Sequence, residues 1–282
     1  MAKSGAKVVK KRFSHKKTGY FFEFNRFLVK KFDAFCAHCR LLLPLPLVMA
    51  REKIFHFKQF SVLNDLTAMK VGTDGVLLGA WCTVSGARRV LDVGTGSGLI
   101  ALMIAQRNGQ ALIHGIDIDV NAIGEARHNF DSSPWASRLS AELADFNHYD
   151  GGKYDLIVSN PPFFTNGVLP PNASRNHARH TTTLSLEALL NRSRHMLAAS
   201  GMIAIITPVE VELTVRRCLV ALGLGLRRLT RVFPVDGAPA KRLLWELVVG
   251  DACTVESTLT IAGPDRAYSD EYKTLTGDFY LD

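Results

Sequence analysis

A short corner motif carries the groups with the clearest chemical potential in this sequence. It consists of four consecutive residues, Asn160, Pro161, Pro162 and Phe163. The prolines lack the N–H that a sheet ladder needs, so an apolar run that ends at Ser159 must stop there. The motif presents an amide, backbone carbonyls free of a ladder and an aromatic face, which together could hold a flat, amino-bearing ring. By itself it could equally be a structural turn, and the residues upstream decide between the two.

A glycine-rich loop lies upstream, between a predicted strand and a predicted helix. Its sequence runs Asp92-Val93-Gly94-Thr95-Gly96-Ser97-Gly98. Glycines permit a tight turn and let a ligand approach the backbone. The third glycine arrives one residue earlier than in the G-x-G-x-x-G pattern of NAD sites. The acid two residues before the first glycine also suits a cationic or amino group better than a pyrophosphate.

Asp117 supplies a second carboxylate at the same predicted edge. It ends the next strand, nineteen residues after Gly98. An acid at that position can accept hydrogen bonds from both ribose hydroxyls of a nucleoside-containing cofactor. The loop and Asp117 together therefore favour a cofactor of that class.

Apolar strands alternate with amphipathic helices from residue 89 onward, and these elements must position the motifs. We predict strands over Arg89–Val93, Ala111–Asp117, Asp155–Ser159, Gly201–Thr207, Leu226–Phe233 and Arg242–Val249. We predict helices over Leu99–Gln106, Val120–Phe130, Leu186–Ala198 and Val209–Leu222, and a further helix over 73–81 that Thr73 or Asp74 would cap. Such alternation is typical of a parallel sheet covered on both faces. The last two strands are joined by a short loop and should pair antiparallel.

These features together resemble the class I S-adenosyl-L-methionine-dependent methyltransferases. The resemblance implies an α/β fold with a Rossmann-like seven-stranded, mostly parallel sheet, helices on both faces and an antiparallel C-terminal edge pair. It implies S-adenosylmethionine as the cofactor, with Asp117 on the ribose and Asp145 on the adenine. The cofactor-binding residues that it implies in the loop and corner are Asp92, Gly94, Thr95, Gly96, Gly98 and Asn160. The catalytic residues would be Asn160, Pro161, Pro162 and Phe163.

A narrower resemblance rests on residues 57–62 and 68–81, with 178–180 and 241–242. These segments are similar to the bacterial tRNA1(Val) adenine-37 N6-methyltransferase family. The likeness implies N6-methylation of an adenine in an anticodon loop, tRNA as the partner and no metal. Lys70 and Thr73 would lie over the methionine end of the cofactor. The residues expected to contact RNA are Arg175, Arg179, His180, Lys241 and Arg242.

Other activities stay open at this point. The same corner would fit the amide of a glutamine in a protein such as a release factor, although enzymes of that kind typically carry Tyr where Phe163 stands. DNA adenine methylation is disfavoured because the chain has no sizeable target-recognition insert. A non-catalytic, cofactor-binding RNA-interaction module is disfavoured by the intact Asn160 and glycine loop.

Charge divides the chain into two parts. Residues 1–49 contain eleven Lys and Arg against two Asp and Glu, whereas the remainder has a net charge of −1. We therefore predict a basic N-terminal extension over 1–49, disordered or dispensable, and a methyltransferase domain over 50–282. A neutral body argues against a protein that coats nucleic acid broadly.

The cysteines and the apolar segments bear on location and cofactors. Five scattered cysteines favour reduced thiols in a cytoplasmic protein. Cys36 and Cys39 have no second ligand pair nearby, so we predict no metal site. The apolar stretch 41–50 is too short to span a bilayer and is interrupted by prolines. We expect a monomer with no membrane attachment.

Overall fold

The computed structural model describes residues 53–162 and 184–281. The predictions for residues 1–49, including Cys36 and Cys39, lie outside this part of the chain. The same holds for Phe163, Arg175, Arg179 and His180.

Ten strands and six α-helices make up the described part. The strands are β1 (Ile54–His56), β2 (Ser61–Leu63), β3 (Arg89–Val93), β4 (Leu112–Asp117), β5 (Leu139–Leu143), β6 (Tyr154–Ser159), β7 (Leu197–Pro208), β8 (Leu224–Val235), β9 (Arg242–Val249) and β10 (Val255–Ala262). The helices are α1 (Thr73–Trp81), α2 (Leu99–Arg107), α3 (Val120–Asp131), α4 (Leu186–Met196), α5 (Glu212–Leu222) and α6 (Asp270–Thr276). Strands β1 and β2 form a separate antiparallel hairpin.

The remaining eight strands form one sheet in the order β10-β8-β9-β7-β6-β3-β4-β5. Every neighbouring pair is parallel except the two pairs made by β9, which runs antiparallel to β7 and β8. The predicted α/β class with a mostly parallel sheet is therefore confirmed. The predicted strand count of seven is one too low.

Two strands of the sheet, β5 and β10, were not among the six ranges predicted from the sequence, and β10 is the strand beyond the expected seven. It pairs in parallel with the outer side of β8, so the antiparallel pair β8–β9 is not the edge of the sheet. The first half of β10, Val255–Thr258, is exposed. An edge strand of this kind lacks the apolar run that marks a buried strand, which is why the sequence did not indicate it.

Helices cover both faces of the sheet, and the alternation of side chains along β3 shows how. Val90 packs in a core with residues of α1, α2 and α3. Leu91, its neighbour, packs on the opposite face with residues of α4 and α5. Because successive strand residues point to opposite faces, one apolar strand supplies both cores. No helix in the described part is long and apolar enough to cross a bilayer.

Helix α1 begins differently from the prediction. Its N-cap is Gly72, in an extended conformation and without a side-chain cap. Thr73 is instead the first helical residue, and Asp74 forms an ion pair with Arg242, with Oδ2 lying 2.7 Å from Nε. A residue inside the helix is not its N-cap, and the Asp74 carboxylate is used in this tertiary ion pair instead.

Candidate active site

The register of β3 against β6 brings the glycine loop and the corner motif together. Val93, the last residue of β3, lies opposite Ser159, the last residue of β6. The Ser159 hydroxyl donates to the Val93 carbonyl over 2.8 Å, which ties the two strand ends. Gly94 and Asn160 therefore leave adjacent strands at the same level. This carboxyl edge is where open α/β sheets bind ligands.

The loop after β3 presents bare backbone to open space. Gly94 and Gly96 have positive φ angles of 71° and 56°. A Cβ built on either glycine would meet no atom within 4 Å. The N–H groups of Gly94 and Thr95 both donate to the carbonyl of Ile116, each over 2.9 Å, and fix the loop on β4. The result is a rigid, side-chain-free surface that a ligand can approach closely.

Gly98 has a different role from the first two glycines. It is the N-cap of α2 with φ 83°, and a Cβ there would overlap the ring of Phe130. Its lack of a side chain therefore serves helix packing. The predicted cofactor contact of Gly98 stays a prediction, but packing alone accounts for a glycine at this position.

Asp92 is the buried acid beneath the loop. The hydroxyl of Thr95 donates to its Oδ2 over 2.7 Å. Within residues 53–162 and 184–281, the other oxygen, Oδ1, forms no hydrogen bond of good geometry, although the backbone N–H of Ala101 lies close enough to the carboxylate to lower its pKa. Burial raises the pKa of the Asp92 carboxyl to about 7, although the Thr95 hydrogen bond opposes the shift. A buried oxygen without a donor is costly, and a cationic or N–H-bearing ligand would relieve that cost.

Thr95 was predicted as a cofactor contact, and the structure gives its side chain an internal position. Thr95 is buried, and its hydroxyl is used by Asp92. The side chain therefore supports the Asp92 carboxylate, and the predicted cofactor contact of Thr95 stays a prediction.

Asp117 connects the end of β4 to the loop. Its Oδ2 accepts from Gly96 N over 3.0 Å, and its Oδ1 accepts from Asp119 N over 2.9 Å. Burial raises the pKa of Asp117, and the hydrogen bonds from Asp119 and Gly96 oppose that shift. Since an ionised carboxylate has about four acceptor sites, both oxygens can still accept from a pair of hydroxyls.

Asp145 lies next to this group. The N–H of Ala144 donates to the backbone oxygen of Asp117 over 2.9 Å. The Asp145 carboxylate itself accepts from the backbone and side chain of Asn147 and from the ring of His148. Slight burial would raise the pKa of Asp145, but these hydrogen bonds outweigh it and hold the pKa below its ordinary value. Asp117 and Asp145 therefore lie close together, and their predicted contacts with a cofactor stay predictions.

The corner itself contains one contact that sequence reasoning missed. The side-chain nitrogen of Asn160, Nδ2, donates to the sulfur of Met69 over 3.5 Å. Asn160 is partly buried, Pro161 is buried and Pro162 is exposed. Within residues 53–162 and 184–281, the amide oxygen of Asn160 accepts no hydrogen bond.

The predicted RNA contacts Lys241 and Arg242 lie at the same edge of the sheet. Arg242, the first residue of β9, is opposite Pro208, the last residue of β7. Its guanidinium is half-buried against Asp74, and Lys241 is exposed beside it. Positive charge therefore occurs near the carboxyl ends of the central strands.

Comparison with known proteins agrees with this geometry. Residues 72–216 match the methyltransferase small domain family. A tRNA1(Val) (adenine(37)-N6)-methyltransferase of Parabacteroides distasonis is 45% identical over 231 residues, which cover 80% of this chain and 97% of that protein. The protein of the same name from an Enterobacter species is 39% identical over 84% of this chain and 98% of its own length. The chain belongs to the tRNA1(Val) (adenine(37)-N6)-methyltransferase family.

A solved structure supports the fold of this family member independently. A predicted O-methyltransferase from Agrobacterium tumefaciens superposes with a TM-score of 0.58 over 73% of this chain and 96% of its own. Its sequence identity is 16%, so the likeness concerns the fold alone.

Two polar residues of α3 position the site in this family member, and sequence reasoning did not identify them. Glu125 accepts hydrogen bonds from three successive backbone N–H groups, those of residues 65, 66 and 67. Asn129 accepts from Leu63 N and donates to the carbonyls of Leu63 and Ser97. Both side chains are buried. The sequence carries no signal for this role, because the burial of both side chains depends on the distant segment that folds over α3.

Lys70 also takes part in this segment. Its ammonium donates to the carbonyls of Asp65 and Thr67, each over 2.8 Å. The bonds close the turn that precedes α1, and Thr73 follows at the helix start. The predicted contact of Lys70 and Thr73 with a cofactor stays a prediction.

Proposed function

We propose that the chain transfers a methyl group from S-adenosylmethionine to N6 of adenine 37 in tRNA1(Val). The register of Val93 opposite Ser159 carries the proposal. It sets a glycine loop suited to the cofactor beside an Asn-Pro-Pro corner suited to a planar amine. The activity for which the relatives are named supports the choice of acceptor.

The described residues fit this cofactor in three respects. The unpartnered Oδ1 of Asp92 can accept from an amino group or face a cation. The open faces of Gly94 and Gly96 leave room for a ligand against the backbone. Asp117 can accept from a ribose. When bound, S-adenosylmethionine supplies a methyl group made electrophilic by its sulfonium.

The protein groups act mainly by positioning the acceptor. The exocyclic amine of adenine is a poor nucleophile because its lone pair is delocalised into the ring. The amine would donate one hydrogen bond to the Asn160 amide oxygen and one to the Pro161 carbonyl. These two bonds would orient its lone pair toward the methyl group of the cofactor. Phe163 would stack on the base and fix its plane. Correct orientation of two reactants can contribute about 7–11 kcal/mol to lowering a barrier.

The remaining residues would hold the RNA. Exposed Lys241 and the half-buried Arg242 can meet phosphates, and we extend the same role to Arg175, Arg179 and His180. A tRNA substrate fits a cytoplasmic protein, and we expect it to work as a monomer. The bases of an anticodon loop need little unstacking before they enter such a site. The described cysteines, Cys82, Cys218 and Cys253, are free thiols, in keeping with that compartment.

Methyl transfer to defined RNAs tests the proposal. The protein is incubated with methyl-labelled S-adenosylmethionine and a transcript of tRNA1(Val), and in parallel with a transcript that carries guanine at position 37. We expect label in N6-methyladenosine from the first transcript and none from the second. Equal labelling of both transcripts would refute the assigned position. Label recovered in glutamine after incubation with a protein extract would favour a protein substrate.

A further inference from the structure

We infer that Met69 is a positioning residue, which orients the Asn160 amide so that its oxygen faces the acceptor amine. The inference rests on the proposed function and adds a residue to it. The carrying observation is the 3.5 Å contact between Met69 Sδ and Asn160 Nδ2.

The chemistry of the two side chains determines which atom is the donor and which is the acceptor. A thioether sulfur is a weak acceptor and has no proton to donate. The Asn160 amide carries a donor at one end and an acceptor at the other. With Nδ2 on the sulfur, Oδ1 is left to accept from a substrate. If the amide were turned by 180°, its oxygen would face the Met69 sulfur, and both atoms are acceptors. Its N–H groups would then face the substrate amine, which is itself a donor.

The position of Met69 is fixed by the segment that carries it. Glu125 binds three consecutive N–H groups of residues 65–67, and Lys70 closes the turn from the other end. The hydroxyl of Thr67 adds a bond of 2.6 Å to Asn64 Oδ1. Asn129 anchors Leu63 just before the segment and also holds the glycine loop through Ser97. The backbone that carries Met69 is therefore held by the same helix that supports the cofactor loop, and the sulfur itself contacts Asn160.

Burial does not account for a methionine here. The Met69 residue is 48% exposed, and Leu66 in the same segment is 65% exposed. A core-filling methionine would be covered by neighbours, as Met103 is, with no exposed surface. The exposed position and the contact with Asn160 agree better with a role at the corner than with a role in the core.

Kinetics on Met69→Leu test the inference. Leucine keeps the apolar volume and removes the acceptor. We expect kcat for methylation of tRNA1(Val) to fall by about three- to tenfold, the size of one modest hydrogen bond. The Kd of S-adenosylmethionine, the KM for tRNA and the Tm should stay unchanged. Met196→Leu, the same change in the core and away from Asn160, should leave kcat unchanged.

The decisive measurement repeats Met69→Leu in an Asn160→Asp background. A carboxylate presents an oxygen in either orientation, so the loss of the sulfur should cost nothing there. An equal loss of kcat in both backgrounds would show a packing role and overturn the inference. Full kcat of Met69→Leu in the Asn160 background would overturn it as well.

A spectroscopic measurement covers the case in which Asn160→Asp is too slow for kinetics. The side-chain N–H signals of Asn160 are assigned by their absence in that variant, and Met69→Leu should shift them. Unshifted signals would overturn the inference. Activity of the unsubstituted protein on tRNA1(Val) is measured first: its absence would refute the proposed function, whereas an active protein with an unaffected Met69→Leu variant refutes the inference alone.

Discussion

The hydroxyl of Thr95 donates to Oδ2 of Asp92 over 2.7 Å and leaves Oδ1 of the same carboxylate buried without a donor in the described part of the chain. Half of the carboxylate is thus satisfied by the fold, and the other half is buried without a hydrogen bond. The free protein bears the cost of this arrangement, because a buried negative charge is poorly solvated.

Asp92→Asn should therefore stabilise the cofactor-free protein at high pH. The pKa of Asp92 is raised from 3.8 to about 7. A raised pKa means that the folded state holds the proton more tightly, so stability falls as the pH rises from about 4 through 7. We expect Asp92→Asn not to lose stability over this pH range. Above pH 7 its unfolding free energy should therefore exceed that of the parent by a few kcal/mol.

Urea unfolding at pH 5 and pH 8 without cofactor measures that difference, with exposed Asp131→Asn as the control. The same Asp92→Asn change should weaken binding of S-adenosylmethionine, because the negative charge is lost. A difference that stays constant between the two pH values would contradict the assigned cause.

Glu125→Gln should loosen the segment that carries Met69. Burial would raise the pKa of Glu125, but hydrogen bonds from the segment outweigh it and lower the pKa below 4.5. A lowered pKa contributes stability that is present above about 4.5 and is lost as the pH falls through the folded value. Removing the charge should cost about 2 kcal/mol at pH 7.

Acid unfolding of Glu125→Gln against the parent checks this prediction, with the exposed Glu271→Gln as the control. The stability difference should shrink as the pH falls below about 4. Because Met69 would lose its fixed position, kcat should fall together with stability. A variant that is destabilised but fully active would show that the segment does not affect catalysis.

Local chemistry made much of the site predictable. The apolar runs at 89–93 and 155–159 are buried on both faces, and each ends at a chain reversal whose residues cannot continue a strand. Glycines and prolines act on their own neighbours, so the loop at Gly94 and the corner at Asn160 could be inferred from sequence alone.

The parts that were missed depend on contacts distant in sequence. Met69 and Asn160 are 91 residues apart. Glu125 looks like one more charge on a surface helix until the turn at 65–67 folds over it. The prediction that Thr73 or Asp74 would cap α1 was wrong, because the helix already begins at Thr73 and its N-cap is Gly72. Asp74 instead pairs with Arg242, 168 residues further along the chain. Edge strand β10 was missed for a different reason. Its first half is exposed, so its sequence lacks the apolar pattern by which a buried strand is predicted.

Two glycines of the loop should respond differently to alanine. In Gly98→Ala the new methyl group would overlap the ring of Phe130, and the residue would have to adopt a positive φ. The substitution should therefore destabilise the fold by about 2–4 kcal/mol. Gly96→Ala causes no overlap and requires only the positive φ, so it should lower the free energy of unfolding by about 1 kcal/mol. Its methyl group would instead occupy the open face of the loop and weaken cofactor binding. Thermal unfolding and calorimetric titration separate the two effects, and equal stability losses would contradict the packing role of Gly98.

Lys241→Ala should weaken tRNA binding without changing the chemical step. If Lys241 meets one phosphate, the slope of log K against log salt concentration should fall in magnitude by about one. Lys153 precedes β6 at the opposite end of the sheet, so Lys153→Ala is the matched control. Binding measured at several salt concentrations gives both slopes. An unchanged slope for Lys241→Ala would remove this residue from the RNA surface.

Asn160→Ala should separate cofactor binding from methyl transfer. The substitution removes the amide oxygen that would orient the acceptor but leaves Asp92, Gly96 and Asp117 in place. Because a well-placed hydrogen-bonding group at the reacting centre contributes about 10²–10³ in rate, kcat should fall by that factor. The Kd of S-adenosylmethionine should change by less than about threefold, since the amide contributes at most one hydrogen bond to it.

Single-turnover kinetics with tRNA1(Val) and calorimetry with the cofactor measure the two quantities for this variant. The exposed Asn191→Ala on α4 is the matched control and should behave like the parent. A rate loss that merely follows a loss of cofactor affinity would place Asn160 in the cofactor site. A loss of rate at unchanged affinity would identify it as the group that holds the acceptor amine, because the fold and the cofactor loop would then be intact while the orientation of the base is lost.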